Sequence, residues 1–219
     1  MKTTLYFFRH AEATGNQRHT FQGSSDCDIS ERGQRQLEYL AEYCKTLPLE
    51  ALYSSPLLRT RKTAEAVNRY HGLPIILRSG LREIDCGDWE GRPWSELEQD
   101  PDYRVWCDHL PSFRAPNGDS MREVYDRMAK EVDAIVRENP GKTVGVVSHG
   151  CALKNYLCYA AGIGFDRLME IPWLENTAIC QVDYDAEFHP HIITVNQVEH
   201  LPAGEHTVLS QRWAKVKSE

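Results

Sequence analysis

The sequence predicts an α/β fold, and three observations carry that prediction. Short apolar runs alternate with amphipathic segments along the chain. Two of the runs, Leu5-Tyr6-Phe7-Phe8 and Val144-Gly145-Val146-Val147, have the length and the β-branched or aromatic content of buried strands. Both stop at a histidine, the first at Arg9-His10 and the second at Ser148-His149-Gly150. In an open α/β sheet, ligands gather in the crevice beyond the carboxyl ends of the strands, so the two histidines can meet across one pocket.

The remaining elements follow in order. Ser30 can cap a helix whose apolar stripe is Leu37, Leu40, Ala41, Cys44 and Leu47. Ala51-Leu52-Tyr53 is a short strand reaching Ser54-Ser55-Pro56, where Ser55 can cap and Pro56 can open the next helix. Ile75-Ile76-Leu77 reads as another strand. Ser120-Met121-Arg122-Glu123 is a capping-box pattern ahead of Val124, Met128, Val132 and Ile135. The strand ending at Ser148 leads into a helix from about Cys151 to Ala161. Ala178–Tyr184 and Ile192–Val198 read as a C-terminal hairpin near the sheet edge. Residues 85–117, with Trp89, Trp94, Tyr103, Trp106, Phe113 and four prolines, fit the alternation poorly. They read either as an inserted cap beside the site, within a single domain spanning residues 1–219, or as a surface excursion with a satellite core of its own.

The chain has 219 residues, 41% hydrophobic and 26% charged, which suits one sizeable globular domain. Its net charge of −7 argues against nucleic acid or an acidic membrane as partner. A small anion remains compatible, because a few local cations dominate a cleft. The N-terminal apolar run is too short for a secretory signal, and a membrane span needs about 20 apolar residues. Seven cysteines without paired spacing fit reduced thiols. The expected location is the cytoplasm.

Five residues carry the chemistry. The His10 imidazole, fixed in one tautomer by a backbone carbonyl, can attack phosphorus with its other nitrogen. Arg9 beside it offers a fork of donors to phosphate oxygens and disfavours imidazolium. Arg59 lies in the first turn of its predicted helix, where a cation opposes the dipole at a cost of roughly 0.3–1 kcal/mol. A phosphate bound to the free amides of that turn would relieve the conflict; taken alone, Arg59 reads as a solvated arginine. His149, between strand and helix, can donate to a phosphoryl oxygen, and Gly150 allows close backbone approach. Glu83, shielded by apolar neighbours, can serve as an acid to the leaving alkoxide and then as a base to water. Asp85, Asp88 and Glu90 lie nearby, and spacing alone does not choose among them.

These residues resemble the histidine phosphatase superfamily, the group that includes cofactor-dependent phosphoglycerate mutases. The resemblance runs through Arg9-His10-Ala11-Glu12 with Asn16, Gln22-Gly23, Ser54 to Thr60, and Thr63-Ala64-Glu65. It continues through Glu83 with Gly87 to Gly91, Pro116 to Ser120, Ser148-His149-Gly150, and Asn176-Thr177. It implies a three-layer αβα sandwich around a mostly parallel sheet. It also implies His10 as the phosphorylated nucleophile and Glu83 as the proton donor. Arg9, Asn16, Gln22, Gly23, Arg59, His149 and Gly150 would hold the phosphoryl group of a small phosphorylated metabolite, with no metal and no organic cofactor. The departures are Ala11, where the family commonly has glycine, and Asp119, where it has glutamate; the shorter carboxylate shifts a supporting contact.

The mutases carry a Glu-Arg-His-Tyr-Gly stretch near the acid residue. Here the region reads Glu83-Ile84-Asp85-Cys86-Gly87-Asp88-Trp89-Glu90-Gly91, which resembles the phosphatase branch and favours water as acceptor. The rival readings are a phosphoglycerate mutase and an inactive phosphate-binding module; the second would lack the nucleophile or the acid. Other motifs carry less. The Cys86-to-Arg92 spacing mimics a cysteine phosphatase loop, but Asp88 and Glu90 within it would repel phosphate. Cys151 reads as a small core residue, and His189-Pro190-His191 as a solvated turn without further metal ligands.

Overall fold

The computed structural model describes residues 2–207; residues 208–219 of the predicted domain range lie outside them. In chain order the elements are β1 (Thr3–Arg9), the short α1 (Thr14–Gln17), α2 (Glu31–Cys44), β2 (Ala51–Ser54), α3 (Leu58–Val67) and β3 (Ile75–Leu77). There follow α4 (Trp94–Leu97), α5 (Pro101–Asp108), α6 (Met121–Glu138), β4 (Thr143–Ser148), α7 (Gly150–Ala160), β5 (Ile179–Tyr184) and β6 (Pro190–Gln197). The six strands form one sheet in the order β3-β2-β4-β1-β5-β6. The β1–β4, β2–β4 and β2–β3 pairs are parallel, and β5 and β6 add the antiparallel edge hairpin.

Strand alternation sends successive side chains to opposite faces, and both faces are covered. Leu5, Phe7, Val144 and Val146 pack on α6 and α7 through Val124, Met128, Val132 and Tyr156. Phe8, Leu52, Val147 and Ile179 pack on the other side against Leu40, Cys44, Ala64 and Val67 of α2 and α3. The result is helix, sheet, helix. Each such side chain withdrawn from water contributes roughly 1.5–3 kcal/mol.

Helix starts follow their capping chemistry. Ser30 accepts the Gly33 N–H at 3.0 Å, and Ser120 with Glu123 forms the reciprocal capping box that opens α6. The cap predicted at Ser55 is corrected. α3 begins at Leu58 with Leu57 as N-cap, and Ser55 stays in the turn, where its carbonyl accepts from the Thr60 hydroxyl at 3.0 Å. The Asp26 carboxylate takes the Leu58 N–H instead, at 2.6 Å.

Residues 85–117 form α4, α5 and short 3₁₀ turns. Trp89, Trp106 and Phe113 are buried and join the apolar cluster of the sheet, so no separate satellite core exists there. No helix among the described residues is long and apolar enough to cross a membrane.

Candidate active site

β1 and β4 are adjacent and parallel, with Arg9 in register with Ser148. The next residue on each strand is a histidine, so register alone brings His10 and His149 together, their ring centroids 5.3 Å apart. β2, on the far side of β4, ends beside them and delivers α3 with Arg59. Arg9, His10, Asn16, Gln22, Gly23, Arg59, Glu83 and Gly150 all line one cleft at the carboxyl ends of the strands.

His10 is held as the sequence predicts. Its Nδ1 lies 2.7 Å from the Ala11 carbonyl. A carbonyl can only accept, so Nδ1 carries the proton and Nε2 keeps its lone pair. Burial first, then the Arg59 and Arg9 charges, hold the imidazole well below its ordinary protonation range. The His10 carbonyl in turn accepts from Asn176 Nδ2 at 2.9 Å, fixing the turn that carries the nucleophile.

Arg9 and Arg59 are 5% and 1% exposed, and neither makes an ion pair among the described residues. Arg9 donates from Nη1 to the Leu174 carbonyl, while its Nε is buried without a hydrogen-bond partner among the described residues. Burial lowers its pKa, and Glu175 and Glu83 oppose that only through space. Arg59 spends its fork on the Gly23 and Ser25 carbonyls, each at 2.7 Å, and on His149. Two buried guanidinium charges without carboxylate partners are costly. A dianion in the cleft would supply the opposite charge that they lack.

Two expectations about helix ends need correcting. The amides at the start of α3 do not await an anion, because Asp26 occupies the first of them. At the start of α7, Glu83 accepts from the Cys151 and Ala152 amides at 3.0 and 2.8 Å, and from Ile84 N at 3.1 Å. Asp26 and Glu83 thus take the Leu58, Cys151 and Ala152 amides, and the full positive charges in the lining are those of the arginines. The surroundings of Glu83 also differ from the predicted apolar shield, since its carboxylate is held by backbone amides. Those bonds separate it from Asp85, Asp88 and Glu90, none of which lines the cleft.

His149 is fully buried, behind Arg59 and outside the cleft lining. Its Nδ1 accepts from Arg59 Nε at 3.2 Å, and its Nε2 lies 2.8 Å from the Ser55 hydroxyl. Burial and the neighbouring cations hold it, like His10, well below the ordinary imidazole range. Both nitrogens are thus engaged with protein, unlike the free donor the sequence predicts.

Gly150 brings the start of α7 against Arg9: a Cβ there would sit 3.2 Å from Arg9 Nε. Asn16 accepts the Ala13 N–H at Oδ1, which leaves its amino group as donor at the cleft. Asp119 accepts the Asp85 N–H at 3.1 Å and lies 3.7 Å from Arg127. The Arg127 guanidinium in turn takes the carbonyls of Gly80, Arg82 and Glu83, so the shortened carboxylate still supports the Glu83 loop.

Sequence reasoning gave no place in the site to Phe21 or Trp173, which line the cleft with Trp94 and Trp106. The signal was slight: Trp173 stands just before the Asn176-Thr177 pair. Cys86 and Cys151 are buried, and burial pushes both thiols well above the ordinary value. His189 and His191 share half-buried Asp185 at 3.3 Å, and no metal-holding cluster occurs among the described residues.

A family model described as the histidine phosphatase superfamily (branch 1) matches residues 5–197. A Cronobacter sakazakii protein named "Probable phosphoglycerate mutase GpmB" is 34% identical over 182 residues, covering 82% of this chain and 84% of that one. "Phosphoserine phosphatase 1" of Hydrogenobacter thermophilus is 33% identical over 165 residues, 74% of this chain and 78% of its own. Among solved structures, Bacillus stearothermophilus YhfR superposes with a TM-score of 0.85 at 30% identity, over 90% of this chain and 98% of its own.

Proposed function

Because the chain belongs to the histidine phosphatase superfamily, branch 1, we propose that it hydrolyses a small phosphomonoester through a phosphohistidine on His10. One observation carries this reading. The unprotonated Nε2 of His10 stands beside two buried guanidinium groups that form no ion pair among the described residues. The substrate phosphoryl group sits between Arg9 and Arg59, with Asn16, Gln22 and the Gly23 and Gly150 backbone around it. His149 reaches a phosphoryl oxygen by turning its Nε2–H from the Ser55 hydroxyl to the substrate. Phosphoryl transfer mainly needs positioning and stabilisation of the equatorial oxygens.

In the first step Nε2 forms a bond to phosphorus as the P–O bond to the leaving group breaks. Glu83, in its protonated form, gives the departing alkoxide its proton. In the second step Glu83 takes a proton from water, whose oxygen displaces the phosphohistidine nitrogen and releases inorganic phosphate. Acid–base help of this kind is typically worth about 100- to 10,000-fold. The side chains present supply the positive charge, so the proposal needs no metal. Seven free cysteines support a reducing, cytoplasmic location, and residues 85–117, which carry Trp94 and Trp106, are assigned to the leaving-group side of a single domain.

The test is phosphate release from benzyl phosphate without added metal. The chain should turn over, and folded His10→Ala should not. Normal turnover by His10→Ala refutes the mechanism. Interconversion of 3- and 2-phosphoglycerate faster than hydrolysis would replace the phosphatase by a mutase.

A further inference from the structure

The segment Gly23-Ser24-Ser25-Asp26 runs over the buried Arg59 as a strap. Arg59 gives its two terminal nitrogens to the Ser25 and Gly23 carbonyls, each at 2.7 Å, while Ser25 and Asp26 themselves face solvent. An exposed loop keeps one shape only where its polar groups are tied down. Asp26 ties one end, through the Leu58 N–H at 2.6 Å. Glu90, from the loop that follows Glu83, ties the other. Its Oε1 accepts the Ser24 N–H at 2.7 Å and the Cys86 N–H at 3.1 Å. Its Oε2 accepts the Ser25 N–H at 2.8 Å, together with the Ser25 hydroxyl. Backbone bonds join the same two segments, from Gly91 N to the Phe21 carbonyl at 2.7 Å and from Phe21 N to the Arg92 carbonyl at 3.1 Å. A Cβ on Gly23 would fall 2.0 Å from Glu90 Oε1, so the carboxylate fills the space a side chain would need. Glu90 does not line the cleft.

We infer that Glu90 is a positioning residue: by fastening the strap it aims the Gly23 and Ser25 carbonyls at Arg59, and so sets that guanidinium's grip on a phosphoryl dianion. This rests on the phosphoryl site proposed above and extends it by one residue. A guanidinium is a rigid fork, and its direction depends on both carbonyls keeping their places. With the strap loosened, Arg59 keeps its charge and loses its aim. The sign of the effect separates this role from simple electrostatics. A carboxylate acting only through its charge would repel the dianion, and its removal would tighten phosphate binding. Removal of a carboxylate that holds the strap weakens it.

Calorimetric titration of inorganic phosphate into the full chain reads the grip without turnover. Glu90→Ala should bind phosphate about tenfold more weakly than the unaltered chain, and Glu90→Gln, which keeps one acceptor oxygen, about threefold more weakly. Glu90→Gln carries the test if Glu90→Ala does not fold. In an Arg59→Lys background, where one charged tip replaces the fork, the same substitutions should change the affinity by less than about twofold. Unchanged or tighter phosphate binding by the folded Glu90 variants overturns the inference. So does an equal loss whether residue 59 is arginine or lysine. A chain that shows the expected pattern but hydrolyses no ester keeps this inference and loses the phosphatase reading. An unaltered chain that binds no phosphate refutes the phosphoryl site itself, and the inference falls with it.

Discussion

Arg59 Nε donates to His149 Nδ1 at 3.2 Å, so the cleft's cation and the buried histidine behind it hold each other in place. Arginine Nε–H is only a donor, and therefore Nδ1 of His149 is unprotonated and Nε2–H faces the Ser55 hydroxyl. The same guanidinium clasps the Gly23 and Ser25 carbonyls. A lysine has one charged tip and cannot span these partners. Arg59→Lys should lower kcat/KM for benzyl phosphate by about 100- to 1,000-fold. Near-normal kinetics in this variant would show that the clasp does not position the phosphoryl group.

Stability should fall steeply on acidification. Burial is the leading cause that holds His10 and His149 well below the ordinary value of 6.5, and it pushes His200 down to about 4. In the unfolded chain all three protonate near pH 6.5. The unfolded state thus binds more protons below that point, and stability present above pH 6.5 is lost as pH falls towards the folded-state values. Each histidine contributes a slope of about 1.4 kcal/mol per pH unit. Urea unfolding at pH 7.5 and 5.5 measures it, and His200→Gln should remove one histidine's share. Equal stability at the two pH values would contradict neutral buried imidazoles.

Loss of the Glu83 proton should matter most where the leaving group is most basic. Glu83→Gln keeps an oxygen for the Ala152 and Ile84 amides, which share Oε1, and gives up the acceptor for Cys151, so circular dichroism and denaturant unfolding should accompany the kinetics. Hydrolysis of benzyl phosphate should drop by about 100-fold or more. Formation of the phosphoenzyme from 4-nitrophenyl phosphate, whose anion leaves unaided, should be much less affected in single-turnover experiments. Equal losses with both esters would remove Glu83 from the role of acid.

Gly23 tests how the mouth of the cleft is built. Its φ of +42° lies in the left-handed region, and a Cβ there would come within 2.0 Å of a Glu90 oxygen and 2.8 Å of Cys86 N and the Ile84 carbonyl. Gly23→Ala should cost about 2 kcal/mol in denaturant unfolding. Because the Gly23 carbonyl holds Arg59, KM for benzyl phosphate should rise as well. An alanine accepted without loss of stability would contradict this packing.

The parts of the fold that depend on local pattern were legible in the sequence. Strands ending at Arg9-His10 and Ser148-His149, the Ser30 cap and the Ser120–Glu123 box are each written within a few neighbouring residues. Parallel pairing of β1 with β4 then turns two dipeptides into one site. What stayed hidden depends on contacts across long sequence separations. No local rule joins Asp26 to the Leu58 amide, the first of α3, in place of a cap at Ser55. The amides that hold Glu83 come from residues 68 and 69 positions later. The engagement of His149 by Arg59 and Ser55 needs β2, β4 and α3 assembled. Trp173 reaches the cleft from beyond α7, far from the aromatic segment in which Trp94 and Trp106 could be read.

The most direct measurement is rapid acid-free quenching of the chain during turnover of a ³²P-labelled phosphomonoester, followed by alkaline peptide mapping. Alkali-stable, acid-labile label on the peptide containing His10, appearing before steady-state phosphate release and absent from His10→Ala, is the predicted result. Active protein that releases labelled phosphate with no such intermediate, or that carries the label at another residue, would contradict it.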